Sequence, residues 1–440
     1  MAANVSDTNR KLDLAKSESS RVLVAFAVTG LIFMLLPGTF LGVWNLFAIS
    51  RQQASESVSA SWIQAHGHAQ IFGWIGSFII GIGYYSMAKL RPMRLFGLST
   101  SWTCWALWTT GVGLRWLVNV YLWNWRLMLP FSALLELTGF LIFFIAISQH
   151  RSPDGEKKGI QTWMLIVIGG TVGFLATLLL NLGAAIYLSA CGESPALPTR
   201  IDQRFLVLTT WGFLVPFVWG FSARWLPVLL GLKELRNRGL IVGFGLNCIG
   251  IIAALAGSFV VSTIMLVFAS VVEVIALRLF ESSCNPPKIR GVHSIFPMFV
   301  RLAYVWLIAA ALLSIWASIS SDSNGIWGAS RHALTVGFLS TMVFCIGPRM
   351  LPAFAGVREL FSTKLMGASL ILLGLGCALR VSSEVLAYQH LVNSAWEWLP
   401  VSAVMELTAV VVFALNMGCT FMKRPVTKED FWVQIRAQRN

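Results

Sequence analysis

The chain has 440 residues, 56% of them hydrophobic and 12% charged, with a positive mean hydropathy and a formal net charge of +14. A soluble domain carries about a quarter charged residues, so this composition excludes one and points to a polytopic membrane protein. The basic residues are spread over separate breaks between apolar runs and do not line one face, which excludes a nucleic-acid footprint and leaves topology as their explanation.

Residues 1–21 form a polar leader of mixed charge, without the short apolar core and small-residue cleavage site of a secretory signal, so the first apolar run reads as a retained helix. Twelve runs of roughly 20 residues or more follow, at about 22–48, 62–88, 97–118, 128–148, 161–189, 205–230, 239–257, 260–280, 295–318, 330–352, 365–388 and 397–420, with a tail over 421–440. Lys and Arg fall on alternate breaks, among them Lys89, Arg91 and Arg94, then Arg151, Lys157 and Lys158, and finally Lys423, Arg424 and Lys428. The positive-inside rule then places both termini in the cytoplasm. Seven cysteines, an odd number with no C-x-x-C pair, read as small apolar packers.

The chain repeats itself. Leu129-Pro-Phe-Ser-Ala-Leu-Leu-Glu136-Leu-Thr138 in the fourth run matches Leu399-Pro-Val-Ser-Ala-Val-Met-Glu406-Leu-Thr408 in the twelfth, and His68-Ala-x-x-x-Gly73 in the second matches His332-Ala-x-x-x-Gly337 in the tenth. Between them, Gly212-Phe-Leu and Arg224-Trp-Leu-Pro227 parallel Gly337-Phe-Leu and Arg349-Met-Leu-Pro352, and Ala269-Ser-Val-Val-Glu273 supplies a third glutamate. The expected fold is all-α: one integral membrane domain over 22–420, with twelve transmembrane helices in three four-helix units (about 22–150, 160–282 and 293–420) around a pseudo-threefold axis. At the point equivalent to His68 and His332 the middle unit has Val207.

Histidine inside a membrane span costs free energy without a partner, so His66, His68 and His332 are the leading functional candidates. His66 and His68 lie about 200° apart around a helix, so they face different neighbours, and the internal match selects His68 for the interior with His332. The structural alternative is an interhelical hydrogen bond. The functional one is a pair of axial ligands to a planar cofactor held between facing helices, which makes His68 and His332 the metal-ligand candidates. Arg115, Arg331 and Arg380 could clamp carboxylates of such a cofactor, or snorkel to headgroups, or in the case of Arg380 pair with Glu384 one turn on. Glu136, Glu273 and Glu406 share one slot in the three units, either as proton or cation groups or as hydrogen-bonding struts.

These residues resemble a known family. Trp62 to Trp74 with His66-Gly-His68, Arg331-His332-Ala-Leu-Thr-Val-Gly337, Arg224 to Pro227 and Leu302-Ala-Tyr-Val-Trp306-Leu are similar to motifs of the NnrS family of haem- and copper-containing bacterial membrane proteins. A wider similarity is to the haem–copper oxidase core subunit. The sixth and seventh runs lack its histidines, the tenth has one, and Arg301 stands where NnrS relatives carry histidine. The resemblance implies b-type haem at the outer side of a bacterial inner membrane, nitric oxide or another small gas as ligand, and a part in nitrogen-oxide stress. It also implies copper, although the histidines that a dioxygen-reducing copper centre needs are missing. No C-x-x-C-H is present, so covalent c-type attachment is excluded. Two alternatives stay open: a metal-free transporter with a path along the three glutamates, and an electron-transfer subunit like a terminal oxidase or nitric oxide reductase.

Overall fold

In hydrocarbon a backbone N–H or C=O has no water to turn to, so an apolar run satisfies its own hydrogen bonds by becoming helical. The computed structural model, which describes residues 2–90, 98–148, 160–320 and 324–423, is helical throughout and holds no strand among those residues. Arg91, Arg94, Arg151, Lys157, Lys158, Arg424, Lys428 and His150 lie outside the described residues.

The long helices in chain order are α1 Glu18–Gln52, α2 60–90, α3 Leu98–Tyr121, α4 Trp125–Ser148, α5 Thr162–Cys191, α6 Thr199–Leu230, α7 Asn237–Leu255, α8 Phe259–Leu277, α9 Phe296–Ile319, α10 Gly325–Phe354, α11 Thr363–Tyr388 and α12 Ala395–Phe421. Among the described residues ten of them, all but α2 and α3, are long and apolar enough to cross a membrane, which marks a multi-pass membrane protein. Polar residues are concentrated on those two, Gln64, His66, His68 and Gln70 on α2 and Arg115 and Asn119 on α3. His68, Arg115 and Asn119 are buried within the bundle, so these polar side chains point inward.

Neighbours in sequence pack together, α3 with α4, α7 with α8 and α11 with α12 most extensively, and α12 returns to pack on α1. Each of those three hairpins places a glycine of its first helix against a glutamate of its second. A Cβ on Gly111 would lie 2.8 Å from Cγ of Glu136, one on Gly376 would lie 2.9 Å from Cγ of Glu406, and one on Gly243 would lie 3.0 Å from Oε2 of Glu273.

Four stretches widen into π-helical turns: Met34–Phe40 in α1, Ala69–Gly76 in α2, Leu208–Leu214 in α6 and Ala333–Ser340 in α10. The last three begin one residue after His68, Val207 and His332. A π turn leaves carbonyls poorly used by the backbone, and hydroxyls five residues on take several of them: Thr39 donates to the Met34 carbonyl at 2.8 Å, Ser340 to Thr335 at 2.7 Å and Thr341 to Val336 at 3.2 Å.

Glycine also lets α5 touch the wide turn of α6, since a Cβ on Gly173 would overlap the Gly212 carbonyl. Because backbone cannot swing aside, Gly173→Ala should cost about 1–3 kcal/mol of overpacking strain. Equilibrium unfolding in detergent checks this, with Gly183→Ala, where an added Cβ meets nothing within 4 Å, as the neutral control.

Candidate functional site

A cavity of about 380 Å³ opens at the end of the bundle where α2, α6 and α10 begin, a size suited to a small ligand or cofactor. Its walls mix aliphatic side chains with aromatic ones, Phe72, Trp74, Phe205, Trp211, Trp327 and Tyr388 among them. His66, His68, Arg115, Arg331, His332, Arg380 and Glu406 all line it, so seven of the nine residues singled out from the sequence converge on one space. Glu136 stands behind His68, and Glu273 lies elsewhere, on α8.

The histidines are held differently. Nδ1 of His66 lies 2.8 Å from the Gly38 carbonyl. A carbonyl can only accept, so Nδ1 carries the proton and the Nε2 lone pair is left over. The ring reaches α1 because Gly42, one turn beyond Gly38, has no side chain: a Cβ there would come within 2.6 Å of Cε1 of His66. His332 repeats the pattern, with Nδ1 3.0 Å from the Gly328 carbonyl and 3.5 Å from Oε2 of Glu384. His68 is turned the other way. Its Nε2 lies 2.8 Å from Oε1 of Glu136, whose second oxygen accepts from Nδ2 of Asn181 at 3.4 Å, and its ring stacks on Phe72 with centroids 4.5 Å apart. The two histidines of α2 thus take anchors on opposite neighbours, α1 and α4, while both border the cavity.

Two arginines are buried with donors to spare. Arg115, on α3, leaves Nε and Nη1 without a partner, although it lies in the field of Glu136. Arg380, on α11, brings Nη2 to 3.4 Å from Oε2 of Glu384 and also leaves Nε and Nη1 unpartnered. Glu406 lies in the fields of His332, Arg380 and Glu384, with Oε1 unpartnered. Arg331 points to Asp202 at the start of α6, Nη2 to Oδ2 4.0 Å, and is the more exposed of the three arginines.

Three residues escaped the sequence reading. Asn181 and Asp202 complete the partners of Glu136 and Arg331, and Gly38 supplies the carbonyl that His66 uses. A lone asparagine inside a 30-residue apolar helix and the Gly38-x-x-x-Gly42 spacing were the signals available. Arg301 donates to the Leu279 and Pro297 carbonyls at the far end of α9. Among the described residues no group of three or more His, Cys, Asp or Glu side chains could hold a metal ion.

No protein of curated function matches the sequence. Residues 287–418 match a family described as a domain of unknown function, DUF8744; the matched stretch takes in α9, α10, α11 and nearly all of α12.

Proposed function

We propose that the chain is a membrane haem protein of the NnrS kind, holding one b-type haem in the cavity between α2 and α10 and serving the response to nitric oxide or related nitrogen oxides. The observation that carries this reading is the matched state of His66 and His332. In each, Nδ1 is fixed by a backbone carbonyl and the Nε2 lone pair is uncommitted, which is how proteins orient an imidazole for iron. The engaged Nε2 of His68 favours His66 as the partner of His332, with His68 as a buttress tied to Glu136.

The remaining residues fit the same group. Haem is flat, apolar and dianionic at its propionates. The aliphatic and aromatic stretches of the wall suit its faces, and the orphaned N–H groups of Arg115 and Arg380 suit two carboxylates that no protein side chain supplies. Copper is not part of the proposal, because among the described residues no three His, Cys, Asp or Glu side chains are grouped so as to hold a metal ion. Bound haem would supply an iron able to take a small gas or pass an electron. His66 and His332 would hold that iron through imidazole, Arg115 and Arg380 would neutralise the propionates, and the apolar side chains of the wall would keep bulk water out.

The reading includes twelve spans in three four-helix units about a pseudo-threefold axis. The three Gly–Glu hairpin contacts, the three π turns at matched points and the return of α12 to α1 support it. It includes a bacterial inner-membrane location with cytoplasmic termini, which puts the cavity toward the outer face.

Reduced-minus-oxidised absorption of the protein purified with its lipids tests the proposal: a b-type band is expected, and a preparation that stays colourless after incubation with hemin refutes it. Arg115→Ala and Arg380→Ala together should weaken haem retention by about 10–100-fold, the usual scale for outer partners of a metal site. Transfer of haem to apomyoglobin measures this.

A further inference from the structure

Glu273 belongs to none of the chemistry above. It sits on α8 with 0% of its surface exposed, and neither carboxylate oxygen has a hydrogen-bond partner. Its counterparts are provisioned otherwise. Glu136 has an imidazole and an amide bonded to it and lies beside Arg115, and Glu406 lies in the fields of His332 and Arg380. Each of those arginines stands four residues after the glycine against which its glutamate packs: Gly111 then Arg115, Gly376 then Arg380. The same step from Gly243, the glycine packed on Glu273, leads to Asn247, and the position of the histidine is taken by Val207. The guanidinium and the imidazole are therefore both replaced by side chains that carry no positive charge in the one hairpin whose glutamate is bare.

Further oxygen atoms lie on the neighbouring turns and helices. Asn247 is fully buried, donates Nδ2 to the Trp211 carbonyl at 2.8 Å, and leaves Oδ1 unpartnered. The phenol of Tyr304 on α9 lies in the field of Glu273 and neighbours the Ser222 hydroxyl on α6. Among the described residues of α6, α7 and α9, Tyr304 is the titratable one that faces Glu273, and no described Arg, Lys or His side chain acts on it. An ionised carboxylate so placed would be an uncompensated charge in a dry interior, costing several kcal/mol.

We propose that Glu273 is a binding site for one monovalent cation drawn from solvent, a proton or a sodium ion, which supplies the positive charge that arginine supplies beside Glu136 and Glu406. The site has the makings of either occupant: a carboxylate for charge, with amide and hydroxyl oxygens for further coordination. The proposal does not depend on haem.

Infrared spectroscopy of the intact protein in lipid, across a pH series with sodium chloride or choline chloride, tests it. A protonated-carboxyl band that is present in the wild type and lost in Glu273→Gln is expected. Its conversion to a carboxylate band by sodium but not choline identifies sodium as the competing occupant, and indifference to sodium identifies the proton. Asn247→Arg restores the missing guanidinium and should abolish both the band and any sodium response. Spectra of the wild type and Glu273→Gln that coincide in the carboxyl region at every pH and salt, or an Asn247→Arg variant that keeps the band, would overturn the assignment.

Discussion

Replacing His332 by alanine is expected to strip the purified protein of its b-type absorption. Loss of an outer partner costs about 10–100-fold in metal affinity, and loss of the ligand itself should cost at least as much. His332 is the sharper choice over its neighbours for a geometric reason. Its Nδ1 is fixed by the Gly328 carbonyl and by Glu384, so Nε2 is the atom it can offer. His66→Ala should act similarly, since its ring is fixed by Gly38 in the same sense. His68→Ala should leave the band's position nearly intact, because the atom it would offer is engaged by Glu136. A low-spin spectrum that persists in both His66→Ala and His332→Ala would remove the proposed ligation, and a loss confined to His68→Ala would move the axial role to the residue selected by the internal repeat.

The second large effect is on stability. Glu136→Leu removes the acceptor of His68 and of Asn181 and the carboxylate beside Arg115, all within the bundle. Breaking a buried charged cluster by deleting one member costs about 3–5 kcal/mol, because the remaining charge stays behind without compensation. The expected result is a steep fall in the unfolding midpoint in detergent. Glu136→Gln should lose much less, because its amide oxygen can still accept from His68. If leucine and glutamine behave alike, the His68–Glu136 contact contributes little and the fold is held by apolar packing.

Much of this arrangement was legible in the residues themselves. The matched decapeptides around Glu136 and Glu406, and the matched His68 and His332, are what a repeated helical unit leaves in a sequence, and the polar residues of α2 and α3 already pointed to an inward-facing site. The partners were harder to read. Periodicity separates His66 from His68 by angle but cannot say which neighbour each meets; that depends on Gly38 and Gly42 letting α1 approach. The expectation that Arg331 would face a cofactor carboxylate meets Asp202 in the structure, because α6 begins beside α10, a proximity set by the bundle and not by either segment. Asn181 was a faint signal for a related reason: one amide barely alters the hydropathy of α5. The π turns have no composition of their own, since Ala69–Gly76 and Ala333–Ser340 read as ordinary apolar helix.

Those wide turns fix the screw phase of the helices they interrupt. A π turn accommodates one residue beyond the α-helical count, and each residue advances an α-helix by about 100°. Trimming one residue from Ala69–Gly76 or Ala333–Ser340 would therefore index everything upstream by about a quarter-turn or slightly more, swinging His66 and His68, or His332, off the cavity wall while the downstream half stayed seated. The residue count of these segments thus sets which upstream side chains reach the cavity.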